Sequence, residues 1–367
     1  MTTSGARGTD ILALDRTSRR VLEVVLRQGP MSRVDVAAAT GLSSASLTRL
    51  TKPLVRAGFL EEGEPEPAAM GRPSLPLAIV DDAARFLGAK IVPGEIHAVV
   101  TGLAGRVRDT LVVPADTATP EDAAQAVADV AARLGRSHDL AGIGVALAGA
   151  VDPFGTVRRA TLLGWPECNL SRLVSDRTGL RCSSANDVDA LALSQHWTGV
   201  GRGTENFVTL TIGAGVGAGA VVGNQLLVGH QGYNGMVGHL PTRDGGTFHD
   251  RLSTDGLRAA AGDALGRPVP AAALPGLAPE IGPVLDAAAR SLAELVLLAK
   301  HVWGPERILL TGEGIWLLSA GKEAFGEVLA AQRWDDITPP DVVVRSLQFL
   351  DWATGAAALA IRLGILA

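Results

Sequence analysis

Residues 34–59 read VDVAAATGLSSASLTRLTKPLVRAGF, and their spacing predicts a helix, a tight turn and a second helix. Ala37 is small enough to let two helices cross closely, and Gly41 stands where the turn needs a left-handed backbone that glycine adopts without steric penalty. Ser43 or Ser44 can cap the second helix by accepting a backbone N–H. Leu47, Leu50 and Leu54 follow at three- and four-residue spacing, the pattern of one buried helical face. Ser44, Ser46, Thr48, Arg49 and Lys52 fall on the opposite face, which is small, polar and cationic and suits a DNA major groove. Pro53 predicts a kink or a restart near Lys52, because an interior proline removes a hydrogen bond and costs about 3 kcal/mol.

Upstream, Val21, Leu22, Val25 and Leu26 form the apolar stripe of a helix over 19–28, which Gly29-Pro30 terminates. Ser32 and Arg33, at the entry to the motif, join the candidate DNA contacts. Downstream come the acidic run Glu61-Glu62-Gly63-Glu64-Pro65-Glu66, then Met70-Gly71-Arg72-Pro73-Ser74 and an apolar strand over 75–80. Three helices followed by a hairpin make a winged helix-turn-helix, with the acidic run as the solvated tip of the wing. Arg72, between Gly71 and Pro73, is an extended arginine arm suited to a narrow minor groove. Between residues 16 and 60 there are eight cations against Glu23 and Asp35, a balance of +6, whereas the whole chain is at −5. That segregation fits a phosphate-binding module on an acidic protein. The competing reading of this segment is a small helical bundle used for dimerisation.

A chain of 367 residues is too long for one compact core, so at least two domains are expected, residues 1–80 and 81–367. No run of 18 apolar residues occurs, and the opening MTTSGARGTD lacks the apolar stretch of a signal peptide, so a cytoplasmic location is expected. Cys168 and Cys182 are too few for a disulfide framework or a four-cysteine zinc site and read as reduced thiols.

From Asp81 the pattern changes to strands alternating with Ala-rich helices: strands over 85–92, 95–103 and 106–113, a helix over 121–134 and a buried strand over 142–147. Three short strands recur over 206–212, 217–222 and 225–227, with a later strand over 307–310. Two copies of one α/β unit imply two lobes, about 81–190 with the C-terminal helix and about 191–345, and a ligand cleft between them.

GIGVALAGAVDPFGTV (142–157), LLGW (162–165), SANDVDALAL (184–193), TIGAGVGAGAVV (211–222) and GHQGYNGMVGHLP (229–241) carry a resemblance to the ROK family of repressors, open-reading-frame proteins and sugar kinases. With the winged helix in front, residues 15–367 resemble the ROK transcriptional repressors. The resemblance implies a two-lobed actin-like ATPase (ribonuclease H-like) α/β body. It also implies a homodimer or homotetramer, binding to double-stranded operator DNA, and tuning by a sugar or sugar derivative.

Several family positions are altered. Family kinases open the body with an aspartate, two glycines and a threonine that hold ATP phosphates and magnesium; here the stretch is Lys90-Ile91-Val92-Pro93-Gly94, which predicts loss of kinase activity. The glycine turn at 211–219 carries Ala214 where the family has a threonine, and reads either as a phosphate cradle or as a tight turn. Gly312-Glu313-Gly314 resembles the adenosine-contacting turn, where Glu313 repels phosphate. Asn186-Asp187 match the family pair that binds sugar hydroxyls, and also read as a helix cap. Met236 replaces a sugar-binding glutamate, a loss of about 1–3 kcal/mol for such a ligand, and Leu162 replaces an asparagine.

His239 is kept from the zinc motif, but PTRDGGTFHDRLS (241–253) has no cysteine, and His249 aligns approximately with a family glutamate. His239, Asp244, His249 and Asp250 are the alternative metal set; otherwise the two histidines are cleft or surface residues. The candidate ligand residues are therefore Asn186, Asp187, Met236, His239 and His249, with no cofactor, no resident metal and no catalytic residue expected. Lys90 is expected to pair with Asp187 or to hold an anionic ligand. The expected function is a transcriptional regulator, most simply a repressor. A regulator without a sugar effector and an active sugar kinase are the alternatives.

Overall fold

The computed structural model describes residue 11 and residues 13–65, 75–160, 162–243, 245–332 and 341–366. The chain divides into two compact units: one runs up to Gly203 and includes His230–Gly232 and the chain from Phe349 onward; the other comprises Thr204–Gly229 and Tyr233–Gln348.

The first unit begins with helices α1 (Arg16–Gln28), α2 (Arg33–Thr40) and α3 (Ser44–Arg56), then strands β1 (Leu60–Glu62) and β2 (Leu77–Ile79), which pair antiparallel. The α1 stripe is buried, with Val21 and Leu22 at 0% exposure; full burial of one such side chain is worth about 1.5–3 kcal/mol. Asp15 caps α1 by accepting from the Thr17 and Ser18 N–H groups, which starts the helix three residues before the expected Arg19. Glu61 and Glu62 lie in β1 rather than at a wing tip. Arg72, with all of residues 66–74, falls outside the described residues.

Helix α3 departs from expectation at Pro53, since it runs unbroken to Arg56. Leu47, Thr51 and Leu54 are buried on one side of it, while Arg49 and Pro53 lie on the exposed side, where water can take the carbonyl that the proline cannot reach. Leu50 is half-buried, and Thr51 rather than Leu50 completes the buried face.

The body of this unit has strands β3 (Arg85–Val92), β4 (Glu95–Gly102) and β5 (Val107–Pro114), helix α4 (Pro120–Gly135) and strand β6 (Leu140–Leu147). A small sheet of β7 (Ala150–Val151), β8 (Thr156–Arg159) and β9 (Cys168–Asn169) follows, then α5 (Leu170–Thr178), β10 (Cys182–Asn186) and α6 (Asp187–Thr198). The main sheet has the order β10-β6-β3-β4-β5, with β3, β4 and β5 antiparallel and β6 and β10 parallel to β3. Every residue of β6 is buried, as a continuous apolar run requires of a parallel strand covered on both faces.

The second unit contains β11 (Phe207–Ile212), β12 (Val216–Val222), β13 (Gln225–Leu227), α7 (Phe248–Leu252), α8 (Thr254–Leu265), α9 (Gly282–Trp303), β14 (Arg307–Thr311), α10 (Leu317–Ala320), α11 (Lys322–Ala330) and β15 (Asp341–Val344). Its sheet order, β13-β12-β11-β14-β15, repeats the first: an antiparallel meander with two strands parallel to its first member. The internal duplication expected from the strand pattern is therefore present. The chain then returns to the first unit as α12 (Phe349–Leu366), which packs on β3, β4, β6, β10 and α6. Among the described residues no helix is long and apolar enough to cross a membrane.

Candidate DNA interface and candidate ligand site

The turn between α2 and α3 is built as its residues predict. Gly41 takes φ 71°, ψ 18°, in the left-handed region, and closes α2 through its N–H. Ser43, not Ser44, is the N-cap of α3, its Oγ accepting from the Ser46 N–H at 3.2 Å. Ser32 caps α2 and donates its hydroxyl to Asp35 Oδ2 at 2.7 Å.

Of the candidate DNA contacts, Ser44, Thr48, Arg49 and Lys52 are exposed and Ser46 is half-buried. Ser43 is exposed but spends its hydroxyl on the cap and on Ser46 Oγ at 3.0 Å. Arg33 is half-buried and paired with Glu62 of the wing at 2.5 Å, so it braces the hairpin. Arg49, Lys52 and Arg56 edge an open hollow of about 580 Å³ along α3. Arg56 joins them because it lies two turns beyond Arg49 on the same exposed face. The uninterrupted helix is what carries it there.

In the first unit, Lys90 of β3 is 5% exposed, Asp187 of α6 is 8% exposed, and the Lys90 ammonium is hydrogen-bonded to Asp187 Oδ2. The expected pairing is therefore made. Trp352 of α12 lies under the ammonium, 5.4 Å from nitrogen to ring centroid, a cation–π contact that no sequence spacing suggested. Asp187 Oδ1 accepts from the Val188 N–H at 2.9 Å. Asn186 is a helix cap: its Oδ1 accepts from Val188 and Asp189, and its Nδ2 donates to the Gly149 carbonyl at 2.9 Å. Pro93 and Gly94 form the turn between β3 and β4, and the Gly94 N–H is already given to Thr117 Oγ1 at 2.8 Å.

In the second unit, the glycine turn between β11 and β12 holds the chain's own carboxylate. Glu313 Oε1 accepts from the Ala214 N–H at 2.7 Å, and a Cβ added at Gly213 would stand 2.2 Å from the Glu313 carboxyl carbon. A loop of this kind seats an anion through backbone N–H groups, and here that seat is taken. Gly235 and Gly238 press against β12, where a Cβ would stand 1.8 Å from Ala218 O and 2.6 Å from Val216 O. Met236 between them is half-buried, His239 is exposed, and His249 is half-buried on α7. Asp250 is committed to a capping box with Thr247, whose hydroxyl and backbone hold its carboxyl below the usual range. Asp244 lies outside the described residues. Among the described residues no three His, Cys, Asp or Glu side chains converge to hold a metal ion.

Both thiols are insulated: burial, with Glu121 and Glu167 nearby, pushes Cys168 up to about 11, and burial pushes Cys182 up to about 12.

A model of winged helix-turn-helix DNA-binding domains matches residues 14–61, and the ROK family model matches residues 90–262. The chain is 25% identical over 231 residues to the DNA-binding transcriptional dual regulator NagC of Escherichia coli (strain K12), covering 61% of this chain and 56% of that protein. It is 25% identical over 228 residues to the xylose repressor of Caldicellulosiruptor bescii, covering 60% of this chain and 57% of that one. The matched region thus spans little over half the length of these curated relatives. A solved ROK family transcriptional regulator, a homologue of the E. coli MLC protein, has the same fold over 96% of both chains, with a TM-score of 0.76 at 21% identity. The chain thus pairs a segment similar to winged helix-turn-helix DNA-binding domains, residues 14–61, with a segment similar to the ROK family, residues 90–262, on the fold of a solved ROK regulator.

Proposed function

We propose that the protein is a DNA-binding transcriptional regulator, most simply a repressor. In this reading residues 1–80 bind a roughly palindromic operator and residues 81–367 supply oligomerisation and sensing. The observation that carries it is the exposed face of α3, where Ser44, Thr48, Arg49 and Lys52 stand clear of the core and Arg56 extends the cationic edge. A recognition helix of this composition reads base edges near its start and phosphates along its side. Action as a homodimer or homotetramer belongs to the same proposal, because a two-fold operator needs two such helices about 34 Å apart or a multiple of that. Arg72 is proposed as a minor-groove contact on its sequence alone.

The body is proposed to be inactive as a kinase. Lys90 cannot ligate magnesium, Asp187 is engaged by Lys90 and by the Val188 N–H, and Glu313 occupies the glycine turn. A sugar-like effector at Asn186, Asp187, Met236, His239 and His249 is the finer proposal. A regulator with another effector, or none, is favoured by one observation: the polar atoms of Asn186 are already spent within the chain.

Genomic footprinting of the bound protein, followed by gel shifts on the recovered sites, tests the main reading. Binding to discrete sites that Arg49→Ala abolishes is the expected result; uniform binding that ignores Arg49 contradicts it. Incubation with ATP and a hexose panel tests the body, and turnover that depends on Asp187 would overturn the assignment.

A further inference from the structure

The exposed face of α3 offers different chemistry at its two ends. From Arg49 onward it is cationic, with Arg49, Lys52 and Arg56 edging the open hollow along the helix. None of the three has a hydrogen-bond or ion-pair partner among the described residues, whereas Arg33 is held by Glu62. Ahead of them the face is made of small side chains. Ala45 is exposed and lines the same hollow, with Thr48 one turn further on.

Two hydroxyls that would make this start polar are already spent. Ser43 caps the helix by accepting from the Ser46 N–H, and it donates its own proton to Ser46 Oγ at 3.0 Å. Thr48 donates to the Ser44 carbonyl, one turn back, at 2.9 Å. A threonine hydroxyl carries one proton, so Thr48 keeps none for a base edge. With its hydroxyl turned back onto the helix, Thr48 has its methyl group left to meet a groove.

Ala45 and Thr48 are three residues apart and so adjacent on the helix surface, and Arg49 adjoins Ala45 four residues on. From Ala45 to Thr48 the helix rises about 4.5 Å, near the ~3.4 Å step between successive bases of one strand. Two methyl groups at that spacing, beside an unpartnered guanidinium, match a distinct pattern of the major groove. Thymine is the base that presents a methyl group there, and guanine offers O6 and N7 to a bidentate arginine.

We propose that α3 reads thymine methyl groups: Ala45 and Thr48 pack on thymines at neighbouring steps, next to a guanine held by Arg49, while Lys52 and Arg56 rest on phosphate. Thr48 thus specifies sequence through its methyl and not through its hydroxyl. This rests on reading the protein as a DNA-binding regulator, and it names the base chemistry that its recognition helix selects.

Selection of duplexes from a random pool by the full chain supplies the sites. The recovered site is then remade with deoxyuridine in place of thymine, one position at a time, which removes the methyl and leaves the hydrogen-bonding edge unchanged. For the parent protein the expected result is a loss of roughly 4-fold in affinity per methyl, at the thymines beside the guanine. Thr48→Ser keeps the hydroxyl and drops the methyl, and should bind the thymine and deoxyuridine forms alike at its position. Thr48→Val keeps a methyl and drops the hydroxyl, and should still tell them apart. Thr48 is exposed, so neither change disturbs the core. Arg49→Lys should keep the charge yet lose about 5- to 150-fold of the preference for guanine.

Indifference to deoxyuridine at every thymine, sensitivity retained in Thr48→Ser, or sensitivity lost in Thr48→Val would overturn the methyl readout. A guanine preference untouched in Arg49→Lys would overturn the part given to arginine. An enriched site without methyl dependence leaves the regulator reading standing, whereas a pool from which nothing is enriched removes both, so the two failures are told apart.

Discussion

Replacing Lys90 by methionine should destabilise the first unit by about 3 kcal/mol, the lower end of the 3–5 kcal/mol typical of breaking a buried pair from one side. Lys90 and Asp187 are 5% and 8% exposed, so the abandoned carboxylate recovers little hydration. Two features hold the cost at the lower end. Asp187 keeps the Val188 N–H on Oδ1, and it lies in the first turn of α6, where the helix dipole favours an anion by about 0.3–1 kcal/mol. For a unit of this size each kcal/mol moves the midpoint about 2–4 °C, so Lys90→Met should lower it by about 6–12 °C. Adding Asp187→Asn to Lys90→Met removes the stranded charge and should restore at least about 2 kcal/mol, since most of the single-variant penalty is unpaired burial. Calorimetry on the parent, both single variants and the double variant closes the cycle. A loss under about 2 °C for Lys90→Met, or a double variant no more stable than the single, would refute the reasoning.

Lys52→Ala with Arg56→Ala removes two exposed cations from each recognition helix. A dimer then loses four phosphate contacts, and the log–log salt slope of DNA binding should flatten by about 3.6; a slope unchanged in a salt titration counts against the docking. Gly41→Ala should cost about 1 kcal/mol in urea unfolding, because the site is open but left-handed, whereas Gly144→Ala should cost several-fold more, its Cβ meeting Ala356 O at 1.7 Å. Burial, with the like charge of Asp187, makes Asp189 bind its proton more tightly folded than unfolded, where the value is 3.8, so it withdraws stability as pH rises above that value toward its folded pKa. Asp189→Asn should therefore gain stability on the parent as pH rises from about 4, and urea midpoints that run parallel across that range would contradict it.

The DNA-binding module was legible because its determinants are local. Gly41, Ser43 and the Leu47 to Leu54 repeat specify turn, cap and buried face within one short stretch, residues 41–54. Pro53 leaves the helix unbroken, against expectation, because its consequence depends on what holds the helix from the other side, which is a packing fact. In the body, the departures at Lys90, Pro93 and Met236 were legible only against the ROK pattern that the sequence resembles, with residue chemistry saying what each change removes.

What those residues do instead was decided only by tertiary structure. The carboxylate in the glycine turn comes from Glu313, about a hundred residues downstream, and the ring under Lys90 comes from Trp352, more than 250 residues downstream. Asp189 reads in sequence as one more polar residue at a helix start, and becomes a buried carboxyl only because the fold closes over it. Periodicity and turn chemistry act over a few residues, so the sequence by itself determined the elements, the duplication and the resemblance to the ROK family. Electrostatics and close packing act between whichever residues the topology brings together, and these decided what surrounds Lys90 and Asp189 and what fills the glycine turn.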